Sequence, residues 1–222
     1  GPDNPAHIER IAAIVGEIEL IIATHRHWDH TDGIDPLREH TDAPVRAVQE
    51  EFCRDAAPLV TGGDHDEVIH AAGLDITVLG TPGHTADSVS LEVRPAGAGF
   101  TARPDCVVLG DTILGRDSTV LDSTDGDLGD YLASMDLLAA RADGVTGIPG
   151  HGPDVANTGR AAQVLAQHRR DRLDQIIAAR AELGRDASVE AITQHIYRDV
   201  TPFLLKAAEQ STKVALRYLD RL

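Results

Sequence analysis

The stretch Thr24-His25-Arg26-His27-Trp28-Asp29-His30 follows directly on an apolar run at residues 18–23, Ile-Glu-Leu-Ile-Ile-Ala. A run of that length suits a buried strand. The polar segment after it therefore lies at a strand end. In extended backbone, side chains two apart point the same way, so His25 and His27 can hold one ion from the same side. Asp29 and His30 then face a neighbouring position. Three imidazoles and a carboxylate in six residues are hard to explain by packing, because burying such a cluster without a cation is unfavourable.

Working outward, three later strand ends each offer one more ligand-type residue. These are His84 in Thr81-Pro82-Gly83-His84-Thr85, Asp111 in Gly110-Asp111-Thr112, and His151 in Gly150-His151-Gly152. A glycine beside each allows a tight turn and a close approach of backbone to an ion. Alone each signal is weak. In this order, after the first segment, they are strong.

Strands and helices alternate through the first 150 residues. Helices are expected at 5–15, 35–41, 50–57 and 131–141, and strands at 18–23, 45–48, 74–79, 88–93, 106–109 and 144–148. The pattern is that of an α/β layered fold. Beyond Pro153 it changes to three helical stretches without strands, at about 160–183, 188–197 and from 203 onward. On the first of these, Leu173, Ile176, Ile177 and Arg180 share a face. On the last, Leu205, Ala208, Thr212, Ala215, Leu219 and Leu222 recur at spacings of three and four.

The 222 residues carry 20 Lys and Arg against 36 Asp and Glu, a formal charge of −16. The charge is uneven, with residues 1–160 holding 10 basic and 28 acidic residues and residues 161–222 holding 10 and 8. An acidic body disfavours broad electrostatic binding of nucleic acid. No apolar run approaches a membrane span, so no membrane partner is expected. Two cysteines, Cys53 and Cys106, exclude a disulfide framework and suit a reducing compartment. With no basic and apolar leader at Gly1-Pro2-Asp3-Asn4-Pro5, the expected location is the cytoplasm. His7, His40, His65, His70, His168 and His195 lie outside the ligand segments and read as surface or packing residues, although His168, at the junction of body and tail, could line a cleft. Trp28 could form a substrate wall or a packing anchor.

The ordered set His-x-His-x-Asp-His, then His, Asp and His, resembles the metallo-β-lactamase superfamily of dinuclear hydrolases, matched at all seven positions. The resemblance implies an α/β fold, a four-layer αβ/βα sandwich with the metals at one edge of the paired sheets. It implies that His25, His27 and His84 hold one metal and that Asp29, His30 and His151 hold the second, with Asp111 bridging. Two Zn2+ ions are the expected cofactors, with Fe or Mn admitted by the same donors. Such a pair, about 3.5–4 Å apart, clamps a shared hydroxide and polarises a carbonyl or phosphoryl oxygen. Asp29 and Asp111 are the candidate catalytic carboxylates.

True β-lactamases of the superfamily usually lack the bridging aspartate that Asp111 supplies. Glyoxalase II enzymes typically carry a Gly-Cys-Gly-Arg segment where residues 113–120 read ILGRDSTV. The chain is more similar to the lactamase-beta-like protein 2 group, which includes a mitochondrial endoribonuclease. The similarity lies in Gly110-Asp111-Thr112-Ile113-Leu114-Gly115, Ser118-Thr119-Val120, Asp130-Tyr131-Leu132 and Pro149-Gly150-His151-Gly152-Pro153, and continues through His168-Arg169 to Ile196-Tyr197. It implies a catalytic domain at residues 1–159 and a small winged-helix-like helical domain at 160–222. Chains of that group normally begin with several strands before the segment matching Gly1–Pro5, so the first strands of one sheet are expected to be missing. The expected substrate is a small ester, thioester or lactone, or single-stranded RNA, and an exposed sheet edge or tail face could form a homodimer. The rival from another class is a non-catalytic nucleic-acid or protein interaction module with a relic metal site.

Overall fold

The computed structural model describes residues 1–222 except 64, 100, 101, 117, 199 and 200, and the side chains of 202 and 203. Helix α1 (Pro5–Ile14) leads to the short strand β1 (Ile21–Ile22), the single-turn helix α2 (Trp28–Thr31) and α3 (Ile34–Thr41). Strand β2 (Val45–Arg46) pairs parallel with β1, Ile21 facing Val45. A meander follows, β3 (Glu67–Ala71), β4 (Leu74–Gly80), β5 (Val89–Pro95) and β6 (Cys106–Gly110), each antiparallel to the last. After α4 (Leu128–Arg141), β7 (Thr146–Pro149) completes the five-stranded sheet parallel to β6. Helices α5 (Thr158–Leu183), α6 (Val189–Ile196) and α7 (Pro202–Leu219) end the chain.

Three apolar clusters separate four layers. Ala23, Ile34 and Val45 lie between α3 and the two-stranded sheet. Ile22 and Leu20 turn the other way, onto Val78, Val89 and Leu91 of the larger sheet. The opposite face of that sheet presents Leu79, Val107 and Leu109 to Tyr131, Met135 and Leu138 of α4. Alternate residues of a strand point to opposite faces, so each strand supplies two cores. The third cluster continues without a break into Leu173, Ile176, Ile192 and Val214 of the last three helices. The α/β sandwich thus shares its core with the helical tail. Among the described residues no strand follows β7.

Several expected elements differ. The run at 18–23 gives only two paired residues, the length that its partner β2 can match. The helix expected at 50–57 is one 3-10 turn, Glu50–Phe52, because Arg54 returns to pair with Val45 and Asp55 is left-handed at φ 52°. Helix α3 starts from Gly33, and Asp35 is held by Arg54 at 2.8 Å instead of capping it. Helix α4 begins earlier than expected because Asp127 caps it, accepting from Gly129 and Asp130. Strand β3 went unread. It joins β4 through Ala72 and Gly73, both at positive φ, the geometry of a two-residue hairpin turn. On the tail, Ile177 and Leu222 are exposed, while Leu173, Ile176, Ala208, Thr212 and Ala215 are buried.

Candidate metal centre

All seven predicted residues converge at one end of the sandwich. His25 follows β1, and His27 is the last extended residue before α2. The turn of α2 then carries Asp29 and His30, so these two are placed by a helix start and not by strand alternation. His84 lies on the β4–β5 connection, Asp111 directly after β6, and His151 after β7. Gly83, at φ +132°, is required here, since a Cβ would lie 2.5 Å from the backbone nitrogen of Tyr131. At Gly150 a Cβ would lie 2.7 Å from Cε1 of His30. Both glycines let a ligand-bearing loop close on the cluster.

Three groups of donor atoms come together: His25 with His27 and His84, His25 with His30 and Asp111, and Asp29 with His30 and His151. His25 Nε2 is 3.2 Å from His27 Nδ1, which is 2.9 Å from His84 Nε2. His84 Nδ1 donates to the carbonyl of Val120 at 2.9 Å, which leaves Nε2 with its lone pair facing the cluster. His30 Nε2 is 3.2 Å from His151 Nε2, and His151 Nε2 is 3.0 Å from Asp29 Oδ2. Asp111 stands between the groups, its Oδ2 lying 3.8 Å from His84 Nε2 and 3.5 Å from His151 Nε2.

This donor set fits metal ions. One proton can bridge one pair of imidazole nitrogens, but it cannot satisfy three that face a common point, whereas a cation can. Asp111 Oδ1 is buried without a hydrogen-bond partner. Burial, with neighbouring imidazoles adding to it, pushes His25 down to about 3. Burial likewise lowers His84. Both rings are neutral at physiological pH, with lone pairs available to a cation. Burial alone would raise the Asp111 carboxyl, but His30 and the other histidines around it hold it below the usual carboxylate range. It is an anion between two sets of donors.

A family model for the metallo-beta-lactamase superfamily matches residues 1–151. The chain belongs to the metallo-beta-lactamase superfamily. It is 30% identical over 217 residues to a beta-lactamase-like protein 2 homolog of Caenorhabditis elegans, covering 94% of this chain and 67% of that protein. It is also 30% identical over 222 residues to an atrochrysone carboxyl ACP thioesterase of Aspergillus chevalieri, covering 94% of this chain and 66% of that one. Across the first relatives matched, the chain spans between 46% and 67% of their length. Among solved structures, a beta-lactamase domain protein of Burkholderia ambifaria superposes with TM-score 0.73 at 16% identity, covering 100% of this chain and 75% of that one. That likeness shows the superfamily fold with its additional C-terminal helices.

Sequence reasoning missed the groups that hold this cluster in place. Thr119 donates its hydroxyl to the Asp111 carbonyl at 2.9 Å, and Arg169 of α5 donates to the Thr119 carbonyl. Arg26 pairs with Asp125 at 2.7 Å, anchoring the first ligand loop to the segment before α4. Arg169 was detectable. It is the one charged residue in the buried stripe Ala162, Ala166, Arg169, Leu173 and Ile176 of α5. His168 lines a cavity together with His151, and Trp28 is 67% exposed, which excludes it as a packing anchor.

Proposed function

We propose that this chain is a dinuclear metal-dependent hydrolase of small carboxylic esters or thioesters. The observation that carries the reading is the position of Asp111, whose carboxylate is within 3.8 Å of both His84 and His151 and so reaches both ligand groups. In this reading His25, His27 and His84 hold one ion, Asp29, His30 and His151 the other, and Asp111 both. When bound there, two divalent ions, zinc or in its place iron or manganese, supply an activated water and charge that polarises the scissile carbonyl. The protein does the rest. Asp111 and Asp29 would offset the positive charge, and Asp29, 3.0 Å from His151, would accept a hydrogen bond from the activated water and orient it. The Val120 carbonyl keeps His84 in one tautomer and one orientation. Residues 1–159 form the catalytic body, and residues 160–222 form a helical unit whose α5 and α7 wall the cavity beside His151.

The name of the Aspergillus relative, a thioesterase, supports acyl over phosphoryl transfer. Single-stranded RNA is the second reading, favoured by a surface cleft on the tail lined by Arg180, Arg185, Lys213, Arg217 and Arg221. It ranks below because these cations are largely engaged. Arg180 pairs with Asp220, Arg221 with Asp127, and Arg217 with the Ser123 carbonyl.

The test is turnover of a thioester, an ester, a lactone, a β-lactam and a single-stranded RNA, before and after chelation and zinc restoration. Ester or thioester turnover that chelation abolishes and zinc restores is expected. Bound metal without turnover of any of these would favour the interaction module and overturn the hydrolase.

A further inference from the structure

A cavity of about 950 Å³ lies beside His151, lined by Leu114, Arg116 and residues 118–121 on one side and by helices α5 and α7 on the other. Pockets of this volume hold compact small molecules. Its walls are apolar at Leu114, Val120, Leu165, Leu204 and Ala208. Its charged lining among the described residues is Arg116, Arg169 and Arg172, with no Asp or Glu contributing, and the His168 and His151 rings add polar edges. In a chain with 36 acidic residues against 20 basic ones, that is a local reversal of sign.

The cations are built in. Arg169 is only 7% exposed and its Nε has no partner. Its other nitrogens donate to Ser211 and to the Thr119 carbonyl. Arg172 lies 4.2 Å above the Tyr197 ring and donates to Gln175 at 2.6 Å. Among the described residues neither guanidinium meets a carboxylate. Stacking on an aromatic ring fixes the plane of a guanidinium and leaves N–H groups to donate to a planar anion.

Resting on the hydrolase reading above, we propose that this cavity binds the acyl part of the substrate, and that the acyl group is an apolar chain or ring carrying a carboxylate that meets Arg172. The apolar walls hold the chain, Arg172 fixes the far end, and His151 in the same wall places the scissile carbonyl at the ligand cluster. Water adds across the acyl C–O or C–S bond, the leaving oxygen or sulfur takes a proton, and a dicarboxylic acid is released with an alcohol or thiol. A polynucleotide suits the cavity poorly, since it needs an extended cationic track with stacking platforms.

The test compares mono-4-nitrophenyl suberate with 4-nitrophenyl octanoate on the metal-loaded protein, alongside calorimetric binding of octanoate and octanamide. The half-ester is expected to be preferred by at least about 10-fold in kcat/KM, the worth of one charge-assisted hydrogen bond. Arg172→Gln should remove that preference through KM, and Arg172→Lys should restore part of it. Equal turnover of the two esters, or a preference that survives Arg172→Gln, overturns the assignment while the hydrolase stands. If neither ester is turned over, the hydrolase reading loses its support. Octanoate bound more tightly than octanamide, with the difference lost in Arg172→Gln, then still supports the cavity, and equal or absent binding overturns it. Cleavage of a single-stranded oligonucleotide without ester turnover, with octanoate and octanamide bound alike, also overturns it.

Discussion

The hydroxyl of Thr119 donates to the carbonyl oxygen of Asp111 at 2.9 Å and reaches that of Thr112 at 3.2 Å. The backbone that carries the Asp111 carboxylate is therefore held by a side chain eight residues later, whose own carbonyl is held by Arg169 from the tail. Partners of this kind orient metal ligands, and their loss typically weakens metal affinity by about 10–100-fold. Thr119→Val removes the hydroxyl and keeps the shape. It should lower metal affinity about 10-fold while destabilising the fold by only about 1 kcal/mol. Competition with a chromophoric chelator, together with urea unfolding, separates the two effects.

Gly83→Ala should be severe. The added Cβ meets the backbone of α4 at Tyr131, and the position is at φ +132°. The backbone conflict alone exceeds about 1 kcal/mol, and relief of the clash must move the neighbouring His84. A lower melting temperature together with reduced metal content is expected. A variant that melts like the parent and binds its full metal would contradict this placement of the loop.

At the middle of β5, paired with Thr77 of β4, Glu92 is 1% exposed and accepts from Arg94 at 2.8 Å and Arg141 at 2.7 Å. Burial alone would raise its carboxyl, but the two guanidinium groups hold it below the ordinary range. A carboxyl lowered by folding contributes stability that is fully present above the unfolded pKa, about 4.3. That contribution is lost as pH falls through the lower folded value. Glu92→Gln should cost about 3 kcal/mol at pH 7 by leaving the buried Arg94 without a counter-ion, while Arg141 keeps Asp66 at 2.7 Å. The variant should also lose less additional stability than the parent below pH about 4.3. Urea unfolding from pH 7 to 3 reads both.

Much of the candidate site was legible in the sequence because closely spaced His and Asp residues at strand ends are chemically conspicuous. Four of the seven sit in one hexapeptide, and the other three each follow a short apolar run beside glycine. What the sequence concealed was how they are held. Asp29 and His30 are brought round by a single helical turn that no periodicity of four residues can announce. The alternation of layers was readable, but the hairpin through Ala72 and Gly73 was not, because alanine at φ 51° carries no turn signal of its own. The extent of the helical tail followed from spacings of three and four. Its fusion with the body core did not, since Leu173, Ile192 and Val214 look in sequence like the core of a separate unit.

Two ion positions that share Asp111 require a definite metal content per chain. The purified, zinc-reconstituted protein should hold two ions by elemental analysis, and Asp111→Ala should hold fewer, with catalytic turnover lost. A single ion in the parent chain, or two ions retained with undiminished turnover in Asp111→Ala, would contradict the account.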